Sequence, residues 1–236
     1  MTSSRSTLVL FDIDDTLVQT GRAGLRGMNL AFERLHRRAN ALDGVTFAGR
    51  TDRAIVADAF RLMGREAGEA DITGLRDAYL EALRAEIVRP VDAAVGVLPG
   101  VERVLAALEA RPEAFVVGLL TGNFAGGAAI KLGHFDLWRR FPFGAFGDVH
   151  VNRRDLVPVA LEQARALGCV PATPGDVVVI GDTPLDVDCA RAHGARALAV
   201  ATGPFDAQAL AEAGADLTVP TLDDAPDVVE WIRARA

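Results

Sequence analysis

The sequence lacks the features of a secreted or membrane-spanning protein. It has two cysteines, Cys169 and Cys189, and no apolar run that approaches the roughly 20 residues of a membrane-spanning helix. The first six residues, MTSSRS, lead directly into a strand pattern, so we expect no signal peptide. We therefore expect a cytoplasmic protein without a disulfide framework.

Lysine is nearly absent, and the 32 acidic residues outnumber the 25 lysine and arginine residues. The 236 residues carry a formal net charge of -7, which argues against nucleic acid or an anionic membrane as the main partner. Lys131 is the one lysine among the 25 basic residues, so a site that needs a cation would usually have to use an arginine. The hydrophobic share of 50% is enough for one large domain or for a core with an insert.

Apolar runs alternate with helical patterns along much of the chain. The runs span residues 7–14, 115–123, 176–186, 196–203 and 215–222. Between the later runs lie helical patterns at 101–110, 124–135, 156–168, 187–194 and 207–214. This alternation predicts an α/β fold with a doubly wound parallel sheet. The polar residues after the first three runs should then meet at the carboxyl ends of the strands.

A helical insert is expected between the first two strands. Residues 22–87 show helical periodicity, as in LRGMNLAFERLHRRA, and the block is too long for a crossover connection. We interpret residues 21–95 as an inserted helical cap domain, joined through VQTGRAG and VGVLPGV to a core made of residues 1–20 and 96–236.

Three carboxylates follow the first apolar run within four positions. Asp12, Asp14 and Asp15 lie where the strand should leave the sheet, and clustered carboxylates near an apolar core are costly unless a cation neutralises them. They form either a solvated turn with local hydrogen bonds or a reactive site. In the second case one carboxylate attacks a substrate, another transfers a proton, and a hard cation such as Mg²⁺ binds.

A second carboxylate pair favours the metal site. IGDTPLD places Asp182 and Asp186 at the end of another strand. A helix cap and an acid in the first helical turn would explain either residue singly. They would not explain the coincidence with Asp12 and Asp14.

The motif LLTGN follows the second strand. The Thr121 hydroxyl and the amides of the following helix could bind an oxyanion there. Alternatively, Thr121 or Asn123 only caps that helix.

The motifs FDIDDTL, LLTGN and GDTPLD, in this order and with a helical insert after the first, resemble those of the haloacid dehalogenase superfamily. The resemblance is strongest to its phosphoglycolate phosphatase-like members with a helical, C1-type cap, and it spans nearly the whole chain. It implies Mg²⁺-dependent hydrolysis of a small phosphorylated metabolite, a phosphoglycolate-like phosphomonoester, through an aspartyl-phosphate intermediate. Both a monomer and a homodimer remain open.

The same resemblance implies roles for the acidic residues. Asp12 would be the nucleophile, and Asp14 would protonate the leaving oxygen and then activate the hydrolytic water. Mg²⁺ would be held by Asp12, by the backbone carbonyl of Asp14 and by Asp182, with Asp186 in a supporting role.

Substrate contacts are expected from LLTGN and from the insert. Thr121 and the neighbouring amides of Gly122 and Asn123 would hold the transferring phosphoryl group. FAGRTDRAI resembles the loop that such caps lower over the active site, and we expect Arg50 to contact the substrate, at an anionic group remote from the phosphate. The alternative is an ordinary turn with a helix cap at residues 51–52.

The third family motif departs from its usual form. It normally has a lysine before a proline-containing stretch, whereas HVNRRDLVPVAL has none. We expect Arg153 to replace it, with Arg154 and Lys131 as rivals. Lys131 lies nearly three turns past Thr121, about 15 Å along a helix, and is expected to be a solvated surface residue.

Three other functions compete with a phosphatase. A phosphomutase shares the entire site but protects its phosphoenzyme from water. A 2-haloacid dehalogenase uses the same nucleophile without needing a metal or an acid two residues on, so Asp14 and Asp182 oppose it. A non-catalytic binding module predicts a missing site residue, which the retained Asp12 and Asp14 oppose.

Overall fold

The chain folds as an α/β protein in the computed structural model, which describes residues 6–169, 171, 173–223 and 228–234. Its strands are β1 Thr7–Phe11, β2 Val18–Thr20, β3 Val95–Val97, β4 Phe115–Leu120, β5 Gly144–Ala145, β6 Val177–Gly181, β7 Arg196–Val200 and β8 Leu217–Val219. Its helices are α1 Ala23–His36, α2 Asp52–Leu62, α3 Glu69–Glu86, α4 Val101–Glu109, α5 Ala125–His134, α6 Leu156–Ala166, α7 Pro184–Arg191, α8 Ala207–Glu212 and α9 Val228–Arg233. Residues 1–5, on which the expected lack of a signal peptide depends, and the predicted core boundaries at residues 1 and 236 lie outside the described residues.

In the described part of the chain, six parallel strands form the central sheet in the order β5-β4-β1-β6-β7-β8. Val9 and Phe11 of β1 pack in one buried cluster with side chains of α4, α5 and α9, whereas Leu8 and Leu10 pack in another with α6, α7 and α8. Helices therefore cover both faces of the sheet, which confirms the predicted doubly wound fold. It also explains why β1 is an uninterrupted apolar run.

The strand register brings three polar segments together. Phe11 at the end of β1 lies opposite Leu119 of β4 and Ile180 of β6. The residues just beyond these strands, Asp12, Thr121 and Asp182, therefore leave the sheet at the same edge, as the sequence predicts for parallel strands.

The residues between β2 and β3 form three helices around a buried cluster that also includes Phe124, the residue before α5. Phe32, Phe60 and Leu75 are fully buried there, and the Phe32 and Phe60 ring centroids are 5.4 Å apart. Thr51 begins α2 as its N-cap, since its hydroxyl accepts a hydrogen bond from the Ala54 amide at 3.2 Å. The helical character of this block agrees with the sequence analysis, and its boundaries as a domain stay a prediction.

Several short elements differ from the sequence expectation. The segments interpreted as plain connections to the insert contain β2 and β3, which pair antiparallel and place Thr20 opposite Val95. The two-residue edge strand β5 and the C-terminal helix α9 were also not predicted. Elements of two or three residues are too short to display a hydrophobic period, so only their tertiary neighbours define them. No helix among the described residues is long and apolar enough to cross a bilayer.

We predict that Phe32→Ala destabilises the protein by about 3–5 kcal/mol, because it leaves a cavity in the cluster formed by α1, α2 and α3. Urea denaturation would measure this loss. Leu30→Ala on the same helix is the control, since Leu30 is 42% exposed and should cost less than about 1 kcal/mol. Equal losses in the two variants would contradict the packing assigned to Phe32.

Candidate active site

Three buried carboxylates meet at the ends of β1 and β6. The Asp12 amide donates to the Ile180 carbonyl at 2.9 Å, which fixes Asp12 beside the end of β6, and Asp182 directly follows that strand. Asp186 lies in the first turn of α7. Carboxylate oxygens of Asp12, Asp182 and Asp186 all lie within 4.8 Å of one another, and all three residues are buried.

Asp186 combines two of the roles considered from the sequence. It completes a capping box at the start of α7, accepting from the Thr183 amide at 3.0 Å and from the Thr183 hydroxyl at 2.7 Å. Its other oxygen faces Arg153. Asp186 is therefore a helix-capping residue that also contributes charge to the carboxylate cluster.

Arg153 enters the cluster from the short turn before α6. Its Nη2 lies 3.1 Å from Asp12 Oδ1 and 2.5 Å from Asp186 Oδ1, and the residue is buried. Burial lowers the pKa of a guanidinium, but the two carboxylates outweigh this and raise the pKa of Arg153. Its Nε has no hydrogen-bond partner among the described residues and remains a free donor. Arg154 instead lies at the surface, paired with Asp188 at 2.6 Å.

The cluster holds more negative charge than Arg153 can neutralise. Burial, followed by repulsion from Asp186 and Asp12, raises the pKa of Asp182, and burial also raises the pKa of Asp186 although Arg153 opposes that shift. Buried carboxylate oxygens in excess of cations are the donor set that a hard divalent ion prefers. Asp12 and Asp182, supported by Asp186, thus fit Mg²⁺.

Asp14 makes a different set of contacts. Its carboxylate oxygens lie 2.8 and 2.6 Å from Lys131 Nζ, and Oδ2 accepts from Asn123 Nδ2 at 2.9 Å. Lys131 Nζ also donates to Asn123 Oδ1 at 2.6 Å, which closes a three-residue ring. The Asp14 side chain lies outside the three-carboxylate cluster, and the role of its carbonyl as a metal ligand stays a prediction.

The expectation that Lys131 is a solvated surface residue is wrong. Lys131 is 5% exposed, and attraction to Asp14, Tyr79 and Asp52 raises its pKa against the effect of burial. The distance argument along α5 failed because side chains on a helix point toward its N-terminus. Residues two turns apart share one face, so the lysine stem reaches back to Asn123.

The LLTGN segment is only partly free to bind an anion. Thr121 is fully buried, and its Oγ1 accepts from Asn123 Nδ2 at 2.8 Å. The amides of Phe124 and Ala125 at the start of α5 are occupied by the carboxylates of Asp52, at 2.8 Å, and Asp148, at 2.7 Å. The expectation that the amides of this helix bind an oxyanion is therefore wrong for these two.

The insert contributes the loop of residues 49–52 to the same place. The Asp52 amide donates to the Gly122 carbonyl at 2.7 Å, and a Cβ at Gly122 would overlap the Arg50 carbonyl. The Thr51 hydroxyl donates to the Val151 carbonyl at 3.1 Å. Burial raises the pKa of Asp52 to about 6. The loop is thus hydrogen-bonded to the LLTGN segment.

A cavity of about 570 Å³ lies between the insert and the carboxyl ends of the strands. Of the residues predicted for the site, those that line it are Asp12, Asp14, Arg50, Gly122, Asn123, Arg153 and Asp182. Within the described part of the chain, Thr121 and Asp186 lie behind this wall. Lys131 and Asp52 also line it. Sequence reasoning considered Lys131 only as a rival to Arg153 and did not place Asp52 in the site. The sequence signal that could have indicated Lys131 is that it is the one lysine of the chain.

Comparison with models of protein families shows which family the chain belongs to. Residues 9–191 match the model of the haloacid dehalogenase-like hydrolases. The chain belongs to this family. The predicted superfamily is therefore confirmed, and the match covers all three motifs. A search of curated proteins found no match.

Several solved structures are similar to this chain in fold. A hydrolase from Pseudomonas syringae is 19% identical with a TM-score of 0.69, over 97% of this chain and 100% of that one. A predicted phosphoglycolate phosphatase from Haemophilus somnus 129PT is 15% identical with a TM-score of 0.67, over 98% and 99%. A candidate β-phosphoglucomutase from Bacteroides vulgatus is 24% identical with a TM-score of 0.64, over 94% and 87%. At these identities the likeness concerns the fold.

We predict that Mg²⁺ raises the melting temperature and that Asp182→Asn removes most of this effect. Mg²⁺ at about 100 times its Kd would stabilise the protein by about 2.7 kcal/mol, which corresponds to roughly 5–10 °C for a chain of this size. Thermal unfolding with Mg²⁺ and with a chelator would measure it. Asp77→Asn, at an exposed aspartate of α3, is the control.

The pH dependence of the metal-free protein should also follow from this site. The pKa of Asp182 is higher in the folded protein than in the unfolded chain, so protonation of Asp182 favours the folded state. This contribution to stability is complete below the usual aspartate pKa near 4 and is lost as the pH rises above it. Metal-free Asp182→Asn should therefore unfold at a higher temperature than the wild type at pH 8. A lower melting temperature for the variant would contradict an excess of negative charge in the carboxylate cluster.

Proposed function

We propose that the protein is a Mg²⁺-dependent phosphatase that hydrolyses a small phosphorylated metabolite through an aspartyl-phosphate intermediate. The main support is the buried Asp12 carboxylate, which contacts Arg153 on one side, lies within reach of Asp182 on the other and faces the cavity. The cytoplasm is the compartment we propose, in keeping with two cysteines that are both free.

Asp12 would attack the phosphorus atom with one carboxylate oxygen while the bond from phosphorus to the leaving oxygen breaks. Arg153, with its free Nε and its guanidinium charge, would stabilise the negative charge of the equatorial oxygens. Bound Mg²⁺ would supply charge neutralisation of the phosphoryl group. The Gly122 and Asn123 segment would orient the same group from the opposite wall.

Asp14 would move the protons. In the first step its carboxyl group donates a proton to the leaving oxygen, and in the second its carboxylate takes a proton from the water that attacks phosphorus. The second attack breaks the bond between phosphorus and the Asp12 oxygen and releases phosphate. Lys131 and Asn123, which hold both oxygens of Asp14, would fix its direction toward the substrate.

A phosphomutase is the second candidate, because it would use the same carboxylates and the same Arg153. The two differ in the acceptor of the phosphoryl group, which is water in a phosphatase and a second hydroxyl of the substrate in a mutase. Release of inorganic phosphate from a set of phosphorylated metabolites would separate them. Chloride release from a 2-haloacid without Mg²⁺ would favour a dehalogenase instead.

We predict that Asp12→Asn lowers phosphate release by at least about a thousandfold, since an amide is a poor nucleophile and loses the charge paired with Arg153. Phosphate release would be measured in the presence of Mg²⁺, and circular dichroism would check the fold. The control, Asp77→Asn, keeps wild-type turnover. Unchanged turnover in Asp12→Asn would refute the nucleophile.

We also predict that Lys131→Met lowers the rate of hydrolysis of alkyl phosphates far more than that of p-nitrophenyl phosphate. The alkoxide leaving group needs the proton from a well-placed Asp14, whereas nitrophenolate leaves without it. Rates with both substrates would be compared for this variant and for Arg154→Met, which removes only a surface ion pair. An equal loss for both substrates would show that Lys131 does not act through Asp14.

A further inference from the structure

Two chemically different groups of residues line the cavity. One is polar and consists of Asp12, Asp182 and Arg153 from the core. The other is an apolar wall that the insert provides, with members from α1, from α2 and from the loop between them. These residues are Leu25, Met28, Leu42, Phe47 and Ile55. A phosphoryl group bound at Asp12 would therefore direct the rest of its molecule toward this wall.

Most cations that line the cavity are already paired with carboxylates. Lys131 is held by Asp14 at 2.6 Å, and Arg153 by Asp12 and Asp186. A distal anion would compete with these internal carboxylates, and so it would gain little from either cation.

Arg50 is paired in the same way. Its Nη1 lies 2.6 Å from Asp58 Oδ2, and Asp58 also contacts Arg61. Arg50 was expected to bind an anionic group remote from the phosphate, but such a group would first have to displace Asp58. The pairing therefore weakens the case for a carboxylate-bearing substrate such as phosphoglycolate.

Arg22 is the remaining cation of the cavity wall. It is exposed, lies over the Phe47 ring at 6.0 Å from its centroid, and has no acidic partner among the described residues. Its guanidinium adds a planar surface beside an aromatic ring of the same wall. Because Arg22 is exposed, an anion that it bound would stay in contact with water.

The size of the cavity points the same way. A volume of about 570 Å³ lies within the range of pockets that enclose drug-sized ligands. A two-carbon phosphomonoester would leave most of it filled with water. A longer apolar group would displace that water from the side chains of the insert.

We propose that the substrate is a phosphomonoester whose leaving group has an extended, largely apolar and uncharged body, which packs against Leu25, Met28 and Ile55. This inference rests on the proposed phosphatase function and specifies its substrate class. The sequence analysis expected a short, phosphoglycolate-like substrate with a carboxylate. The proposed substrate is instead recognised mainly through apolar contacts.

Binding of non-hydrolysable alkylphosphonates tests the inference independently of turnover. Isothermal titration calorimetry with Mg²⁺ present would compare methyl-, propyl- and hexylphosphonate with 3-phosphonopropionate, which is the carboxylate analogue. Each buried methylene contributes up to about fourfold in affinity. We expect hexylphosphonate to bind at least about tenfold more tightly than methylphosphonate, and 3-phosphonopropionate to bind no more tightly than propylphosphonate.

Variants of the wall locate the effect. Leu25→Ser, at a half-buried position, and Met28→Ala should each reduce the ratio of hexyl to methyl affinity, and the melting temperature of each variant would confirm that it folds. Leu30→Ala, on the exposed face of the same helix, should keep the wild-type ratio.

Several outcomes would overturn the inference. One is an affinity that does not depend on chain length. Another is tighter binding of 3-phosphonopropionate that is lost in Arg22→Ala, which would assign an anionic tail to the substrate. If alkylphosphonates bind as expected but no phosphomonoester is hydrolysed, the apolar binding pocket is supported and the phosphatase proposal is refuted.

Discussion

The site depends on the fact that two neighbouring parallel strands are each followed directly by an aspartate. The backbone hydrogen bond from Asp12 to Ile180 joins the ends of β1 and β6, so the carboxylates of Asp12 and Asp182 cannot separate without opening the centre of the sheet. Folding thus forces like charges together in a buried place. Arg153 offsets part of the repulsion, and the remainder is negative charge that a bound divalent cation would neutralise.

The parts of the site that local sequence determines could be predicted. An apolar run followed by aspartate marks a buried strand and the group at its end, and the rule that parallel strands share a carboxyl edge brings Asp12 and Asp182 together. The sheet and the family followed from these motifs. Arg153 was predicted from the resemblance, as the replacement for the lysine of the third motif. Its guanidinium lies against Asp12 and Asp186, and its role in the reaction stays a prediction.

The remaining parts depend on contacts between distant segments. Lys131 belongs to an ordinary amphipathic pattern, and only the position of α5 against Asp14 turns it into a buried partner of that residue. The amides that begin α5 looked free to bind an anion, but Asp52 and Asp148 reach them from 72 and 23 residues away. β2 and β3 similarly exist because two connections happen to lie side by side.

The loop of residues 49–52 has a consequence for the catalytic cycle. By sequence this loop belongs to the insert. Yet the Asp52 carboxylate accepts a hydrogen bond from the Phe124 amide, and the Asp52 amide donates one to the Gly122 carbonyl. If the insert moves away to let product leave, these hydrogen bonds must break, and the backbone that surrounds the phosphoryl position loses its support at that moment. Under the proposed mechanism, opening would give access to the site and would also dismantle the phosphoryl position, so each turnover would include the rebuilding of the site.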